Sequence, residues 1–232
     1  MSRLQAQPTE AGRPPRQVCE GLWLFAPSRD SQGGSAWWLE SSGSGAGALI
    51  DCPAFTEANL AFLQSRTSGE IVLTGRAGHG RLRRVQEALG WPVHVQEQEA
   101  YLLPGVGSLI GFSAEAELGA GLRLLWTPGP SPGAAVLLAE GLPGLESILF
   151  CGRLLSPVAP GKAAPLRTRR SFHWGRWLQS IERLRGWLPP VQPRWLASGA
   201  GLGALRGEVL VPSARLLIDQ LNLQELSRQS AV

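Results

Sequence analysis

Histidine and cysteine are scarce in this sequence of 232 residues, with three of each. The cysteines Cys19, Cys52 and Cys151 lie far apart, so neither a disulfide framework nor a cysteine-built zinc site is expected. No apolar run reaches the ~18 to 20 residues of a membrane helix, and we expect no membrane span. Arg3 is followed by polar residues instead of an apolar run, which argues against a signal peptide and for a cytoplasmic protein.

Lysine is reduced to Lys162, so arginine supplies almost all of the positive charge behind the net charge of +4. Guanidinium groups suit carboxylates and phosphates, although a GC-rich coding bias would give the same composition. The basic pair Arg83-Arg84 and the run Arg167–Arg170 would supply charge for nucleic acid. No aromatic and basic residues alternate around them, so the sequence argues against nucleic acid and favours solvated basic segments.

The chain divides into three parts by composition. Residues 1–17 carry too little apolar mass to pack and predict a flexible tail. Residues 18–210 hold short apolar runs and helical patterns separated by Gly and Pro turns, which predicts one domain with strands on strands and helices outside. Residues 211–232 are rich in leucine and predict a helix that packs on the domain or on a partner.

The apolar periodicity also predicts individual elements. Helices are expected at about 59–65, 81–89, 174–187 and 213–228, and the segment 157–170 is expected to form a polar loop. Short strands are expected at 21–25, 35–39, 48–52, 71–73, 93–95, 122–126, 134–138, 148–150 and 195–197.

Five separated segments, in order, resemble the motifs of the metallo-β-lactamase superfamily. They are Leu49–Pro53, Val72–Gly80, Trp126–Gly133, Leu149–Leu155 and Leu196–Gly201. The third, with Thr-Pro-Gly-Pro-Ser-Pro-Gly, is similar to that family's Thr-Pro-Gly-His-Thr-Pro-Gly turn. The segment Ser171–Leu184 resembles a cyanobacterial and plant-type branch. The resemblance implies an α/β (α+β) fold, a single αββα sandwich with a metal site at one edge between its two sheets.

The metal ligands that the resemblance implies are replaced in this chain. The family holds zinc or iron with His and Asp, and the matching positions are here Gly75, Ala77, His79, Gly80, Pro130, Arg153 and Ala200. His79 alone among them can bind a metal, and it stands where the family has an Asp. A longer second motif would shift the Asp-His pair to Arg81 and Leu82, and the metal ligands would be absent in that alignment as well. Arg153 would put a positive charge where a metal ion should sit.

The remaining candidates do not rebuild a catalytic site. His94 is expected inside a strand as a structural histidine, whereas His173, in the family-like segment, could approach the former metal site. Ser131 and Ser198 lie on motif turns without an evident histidine and carboxylate beside them. Asp51 matches a family Asp that braces the ligand-bearing loop.

Two functions from different classes therefore remain open. The first is a non-catalytic member of the superfamily that binds or scaffolds, with no metal cofactor, and with Arg76, Arg81 and Arg153 holding a small anion or an acidic protein partner at the former metal site. The alternative is a metal-dependent hydrolase of a thioester or phosphoester with an atypical zinc or iron site. In either case the chain would act alone or in a homo- or hetero-oligomer.

Overall fold

The computed structural model describes residues 7–41, 45–119 and 121–231. Its strands form two large sheets whose buried faces meet. The first sheet has seven strands in chain order, and the second has six, in the order β15-β14-β11-β10-β9-β8. A separate two-stranded hairpin, β12-β13, lies outside both sheets.

The first sheet contains β1 (Arg16–Cys19), β2 (Leu22–Leu24), β3 (Trp37–Leu39), β4 (Gly47–Ile50), β5 (Gly69–Val72), β6 (Val93–Gln96) and β7 (Leu109–Phe112). The second contains β8 (Glu115–Glu117), β9 (Leu122–Trp126), β10 (Ala135–Leu142), β11 (Glu146–Phe150), β14 (Trp195–Ala197) and β15 (Val211–Pro212). The hairpin is formed by β12 (Ser156–Ala159) and β13 (Lys162–Ala164). The helices are α1 (Glu57–Gln64), α2 (Leu82–Leu89), α3 (Glu97–Ala100), α4 (Trp174–Trp187), α5 (Ala214–Gln220) and α6 (Leu223–Ser227).

Alternation along the strands divides the core into layers. Trp37 packs in the cluster between the sheets, whereas its neighbour Trp38 packs in the cluster beneath α1 and α2. On the second sheet, Leu137 faces the first sheet and Leu138 faces α4 and α5. Because successive side chains of a strand point to opposite faces, each sheet buries both faces. The result is the αββα sandwich predicted from the sequence.

Both ends of the described chain contact the sandwich. Glu10 and Ala11 accept hydrogen bonds at 2.9 Å from the first two backbone N–H groups of α1, and β1 begins within the segment 1–17 that the sequence assigned to a tail. At the other end, Trp174 Nε1 on α4 donates to the carbonyl of Leu226 at 3.1 Å. The expected C-terminal helix is two short helices, because Asn222 caps a new helix after α5 ends.

The segment 157–170 differs from the polar loop that was predicted there. It contributes most of the hairpin β12-β13, which folds with Ser156 opposite Ala164. The turn Pro160-Gly161 permits this hairpin because Gly161 has a φ of +66°. Among the helices in the described ranges, none is long and apolar enough to cross a membrane.

Candidate functional site

Loops from both sheets meet at one edge of the sandwich. In the first sheet β4 and β5 are parallel, so Asp51 and the segment that starts at Thr74 both leave from their carboxyl ends. In the second sheet β11 and β14 are parallel, which brings Gly152-Arg153 beside Gly199. The backbone N–H of Gly199 donates to the carbonyl of Gly152 at 2.7 Å. Four of the five motif segments thus end at this edge because parallel strands share a carboxyl end.

A cleft of about 1060 Å³ opens between these loops. Five of the seven predicted ligand positions line it: Gly75, Ala77, Pro130, Arg153 and Ala200. His79 and Gly80 are not part of its lining. The sequence motifs therefore converge in space. Most of the predicted ligand positions that line the cleft have no side-chain atom that could bind a metal.

Asp51 bridges the ends of β4 and β5. Its Oδ1 accepts from the backbone N–H of Thr74 at 2.8 Å, and its Oδ2 accepts from Thr74 Oγ1 at 2.6 Å. Asp51 has a φ of +59°, a left-handed conformation that aspartate tolerates better than most residues. Burial raises the pKa of this carboxyl to about 6, although the hydrogen bonds from Thr74 and the charges of His79 and Arg153 oppose the rise.

Two glycines leave room for this carboxylate. A Cβ on Gly78 would lie 2.1 Å from Asp51 Oδ1, and one on Gly199 would lie 3.0 Å from Asp51 Oδ2. The loops after β5 and β14 therefore pack directly on Asp51. The bracing role that the resemblance implies for Asp51 stays a prediction.

Arg153 follows β11 and crosses to the loop between β2 and β3. Its Nη2 donates to the carbonyl oxygens of Ser31 at 2.9 Å and Gln32 at 3.1 Å. Among the described residues, no carboxylate lies within ion-pair distance of it, Asp51 included. Burial lowers the pKa of Arg153, and the charge of Asp51 partly offsets that effect. The guanidinium thus lines the cleft with two backbone carbonyls as partners and its charge unpaired.

Three other arginines line the cleft: Arg76, Arg169 and Arg170. The sequence predicts an anion-binding role for Arg76, whereas it favours a solvated basic segment for Arg169 and Arg170. All three are exposed, and their guanidinium groups have no hydrogen-bond or ion-pair partner in the described part of the chain. Arg81, also selected from the sequence, lies outside the lining, and its Nε contacts Asp30 Oδ2 at 2.8 Å.

His79 lies beside a buried acid that the sequence did not single out. His79 Nε2 is 3.4 Å from Oε2 of Glu99, whose side chain is 1% exposed. Glu99 Oε1 accepts from the backbone N–H of Gly133 at 3.0 Å. Burial alone would raise the pKa of Glu99, but interactions with His79, Ser131 and Gly133 outweigh it and lower the pKa. Glu99 sits in the polar run Gln96–Glu99, which carries no signal that separates it from a solvated segment.

Ser131, Glu99 and His79 are arranged in the wrong order for a catalytic triad. Glu99 interacts with both His79 and Ser131. Activation of a serine requires the imidazole to contact the hydroxyl, and no hydrogen bond joins His79 to Ser131 among the described residues. A carboxylate with a lowered pKa is also a weak base. This cluster therefore ties the third motif, through Ser131 and Gly133, to the second motif, through His79.

The other candidate residues have structural partners. His94 Nε2 lies 2.9 Å from Glu70 Oε2 on the adjacent strand. His173 is the N-cap of α4, where its Nδ1 accepts from the backbone N–H of Arg176 at 3.1 Å. Ser198 Oγ lies 2.9 Å from the carbonyl oxygen of Leu155 and accepts from the N–H of Ala200 at 3.1 Å. None of these groups lines the cleft.

Solved structures with the same architecture identify the fold. An archaeal metallo-beta-lactamase superfamily protein from Sulfolobus tokodaii is 18% identical, with 92% of this chain and 89% of that chain covered and a TM-score of 0.60. A B3 metallo-beta-lactamase with an active-site glutamic acid is 15% identical, with 94% and 90% covered and a TM-score of 0.62. TTHA1623, solved in a di-iron-bound form, is 22% identical, with 79% and 91% covered and a TM-score of 0.54.

This chain has the metallo-β-lactamase fold. No protein-family model and no curated protein sequence matches it. At these sequence identities the similarity concerns the fold alone. It does not test the resemblance to a cyanobacterial and plant-type branch.

The metals associated with the metallo-β-lactamase fold do not fit the residues of this cleft. Zinc and iron sites need several His, Asp, Glu or Cys side chains converging within about 2.0 to 2.3 Å of one point. Among the described residues, no group of three or more such side chains could hold an ion. Asp51 uses both oxygens on Thr74, and Arg153 adds a positive charge to the same cleft. This donor set supports no metal-dependent step.

Proposed function

We propose that this chain is a non-catalytic protein of the metallo-β-lactamase fold that binds a small anionic ligand in its cleft. The observation that carries the proposal is the lining of the cleft. Among the described residues it holds four arginines (Arg76, Arg153, Arg169 and Arg170) and one carboxylate, that of Asp51.

The charges support an anion instead of a cation. Asp51 is buried, and its raised pKa weakens its negative charge below about pH 6. The guanidinium groups of Arg76, Arg169 and Arg170 are exposed and without partners among the described residues, so an incoming anion would not have to displace an existing carboxylate. Several guanidinium groups around one cleft also raise the local concentration of anions.

Arg153 has N–H groups that make no hydrogen bond among the described residues, which supports the same proposal. In the described part of the chain, its hydrogen bonds use Nη2 alone, which donates to the carbonyls of Ser31 and Gln32. A guanidinium has five N–H donors, so the group can hold the loop and still donate to an anion in the cleft. Arg153 would therefore give the ligand a fixed charge at the position where other members of the superfamily hold a metal.

Calorimetric titration with inorganic phosphate tests the anion site. We expect saturable binding that weakens as salt is added, because screening and ion competition reduce charge-driven binding. The double variant R169A/R170A should reduce the affinity about tenfold or more. R84A is the matched control, since Arg84 is an exposed arginine outside the cleft lining. Equal affinities of wild type, R169A/R170A and R84A would contradict the proposal.

Elemental analysis of untagged protein tests the alternative, a hydrolase with an atypical metal site. The protein would be purified in buffer supplied with zinc and iron. We expect well under one ion per chain, because the cleft lacks a converging set of donors. One or two tightly bound ions per chain would favour the hydrolase, and His79 would then be the first residue to replace.

A further inference from the structure

The cleft is much larger than a simple anion requires. Its volume of about 1060 Å³ is slightly above the roughly 300 to 1,000 Å³ of sites that enclose whole organic ligands. A phosphate or carboxylate group alone occupies a small part of such a space. The remaining volume must be filled by water or by another part of the ligand.

The charged part of the lining favours a phosphate over a carboxylate. Arg169 and Arg170 lie on the segment after β13, and Arg76 lies on the segment after β5, so guanidinium groups reach the cleft from separate elements. A phosphate monoester carries a charge of about −1.5 to −2 at pH 7 and offers three acceptor oxygens. It can therefore use more than one guanidinium, whereas a carboxylate carries a single charge.

The rest of the lining contains an apolar part beside serine, threonine, glutamine and glycine residues. Pro130, Pro157, Leu166 and Trp177 belong to the apolar part, and Leu166 is 41% exposed. Phe172, 43% exposed, follows Ser171, which lines the cleft. Leu166 thus presents apolar surface to water within four residues of Arg169 and Arg170. An apolar group on the ligand would cover this surface and gain the free energy of its burial.

We propose that the ligand of the cleft is a phosphate ester with an apolar chain or ring, its phosphate bound by Arg169, Arg170 and Arg76 and its apolar group packed on Leu166. This inference rests on the proposed function, because it specifies the ligand of the same cleft. It requires that charge and apolar contact act together in one molecule.

Competing probes separate the two contributions. Inorganic phosphate, hexyl phosphate, hexanoate and 1-hexanol would each be titrated into the full chain by calorimetry. We expect hexyl phosphate to bind at least about tenfold more tightly than inorganic phosphate, because a few buried methylene groups supply that difference. It should also bind more tightly than hexanoate, and hexanol alone should not bind measurably.

A substitution at the apolar wall completes the test. L166S should weaken binding of hexyl phosphate about three- to tenfold and leave inorganic phosphate unchanged, since it removes apolar surface only. V191S is the control, because Val191 is 83% exposed and lies outside the cleft lining. Both sites are exposed, so both variants should fold.

The outcomes distinguish this inference from the proposed function. If inorganic phosphate binds as tightly as hexyl phosphate, or hexanoate binds as tightly, or L166S has no effect, the phosphate-ester inference fails while the anion site stands. If none of the anions binds, both fail.

Discussion

Arg153 Nη2 lies 2.9 Å from the carbonyl oxygen of Ser31, across 122 positions of the sequence. This hydrogen bond fixes the loop between β2 and β3 against the end of β11. The same guanidinium lines the cleft, so one side chain serves both the fold and the proposed ligand. These two roles can be separated by experiment.

Replacement of Arg153 by methionine should affect both roles. R153M keeps an apolar stem but loses the hydrogen bonds to Ser31 and Gln32, which should lower the free energy of unfolding by about 1–2 kcal/mol. It should also weaken phosphate binding. R153K is the control, because lysine keeps the positive charge but lacks the planar guanidinium with its paired donors. Relative to R153M, it should restore phosphate binding more fully than the free energy of unfolding. Urea denaturation and calorimetric titration would measure the two effects. Unchanged phosphate affinity in R153M would show that Arg153 holds the loop between β2 and β3 and does not bind the anion.

The raised pKa of Asp51 predicts that the free energy of unfolding falls as pH rises from about 4 to about 6. Its pKa rises from 3.8 to about 6 on folding because of burial, so the folded state binds the proton more tightly than the unfolded state. The resulting stabilisation is complete below the unfolded pKa and is lost as pH rises through about 6. A shift of this size corresponds to about 3 kcal/mol.

The variant D51N isolates this effect. Asparagine tolerates the left-handed conformation and can accept from the backbone N–H of Thr74, but it does not titrate. The free energy of unfolding of the wild type, minus that of D51N, should therefore fall as pH rises from 4 to 6 in urea denaturation. A difference that grows with pH would show that Thr74 and Arg153 outweigh burial and depress the pKa of Asp51.

The contact between His79 and Glu99 should contribute more to the free energy of unfolding than a surface ion pair does. E99Q retains an acceptor for the N–H of Gly133 but removes the charge beside His79, so we expect a loss of about 1–3 kcal/mol in the free energy of unfolding. The matched surface change is E146Q, because Glu146 pairs with Arg194 at 3.1 Å and both side chains are more than half exposed. That change should cost about 0–1 kcal/mol.

A double-mutant cycle with H79N and E99Q measures the coupling directly. The two changes should be non-additive by about 1 kcal/mol or more, since each removes the same buried contact. Additive effects would mean that Glu99 stabilises the third motif through Gly133 and Ser131 alone.

Two glycine substitutions should change stability in opposite directions. G78A places a Cβ 2.1 Å from Asp51 Oδ1, so the loop after β5 must move and the free energy of unfolding should fall by about 1–3 kcal/mol or more. G186A lies near the end of α4, and its Cβ would meet no atom within 4 Å. Alanine is a better helix former there and should stabilise by about 0.5–1 kcal/mol. Thermal or urea unfolding compares the two, and a neutral G78A would show that Asp51 can move away freely.

Periodicity predicted the elements with strong local patterns. The helix α4 has the predicted limits 174–187, because Trp177, Ile181 and Leu184 repeat at helical spacing on one face. Strands β9, β10 and β11 were also expected, since their apolar runs are bounded by Gly and Pro turns. The short edge strands β7, β8 and β15 were missed, because each spans only two to four residues and has exposed residues.

The sequence by itself determined which side chains are available at the motif positions. Gly75, Ala77, Pro130 and Ala200 have no donor atoms in any conformation, and the order of the five segments predicted the αββα sandwich. Only the tertiary structure decided which charges meet. It placed Arg169 and Arg170 at the cleft, paired Arg81 with Asp30, and buried Glu99 beside His79. The physical reason is that ion pairing and burial depend on distances between residues far apart in the chain. Those distances are set by how the loops and helices pack together in the folded chain, and no local sequence pattern specifies them.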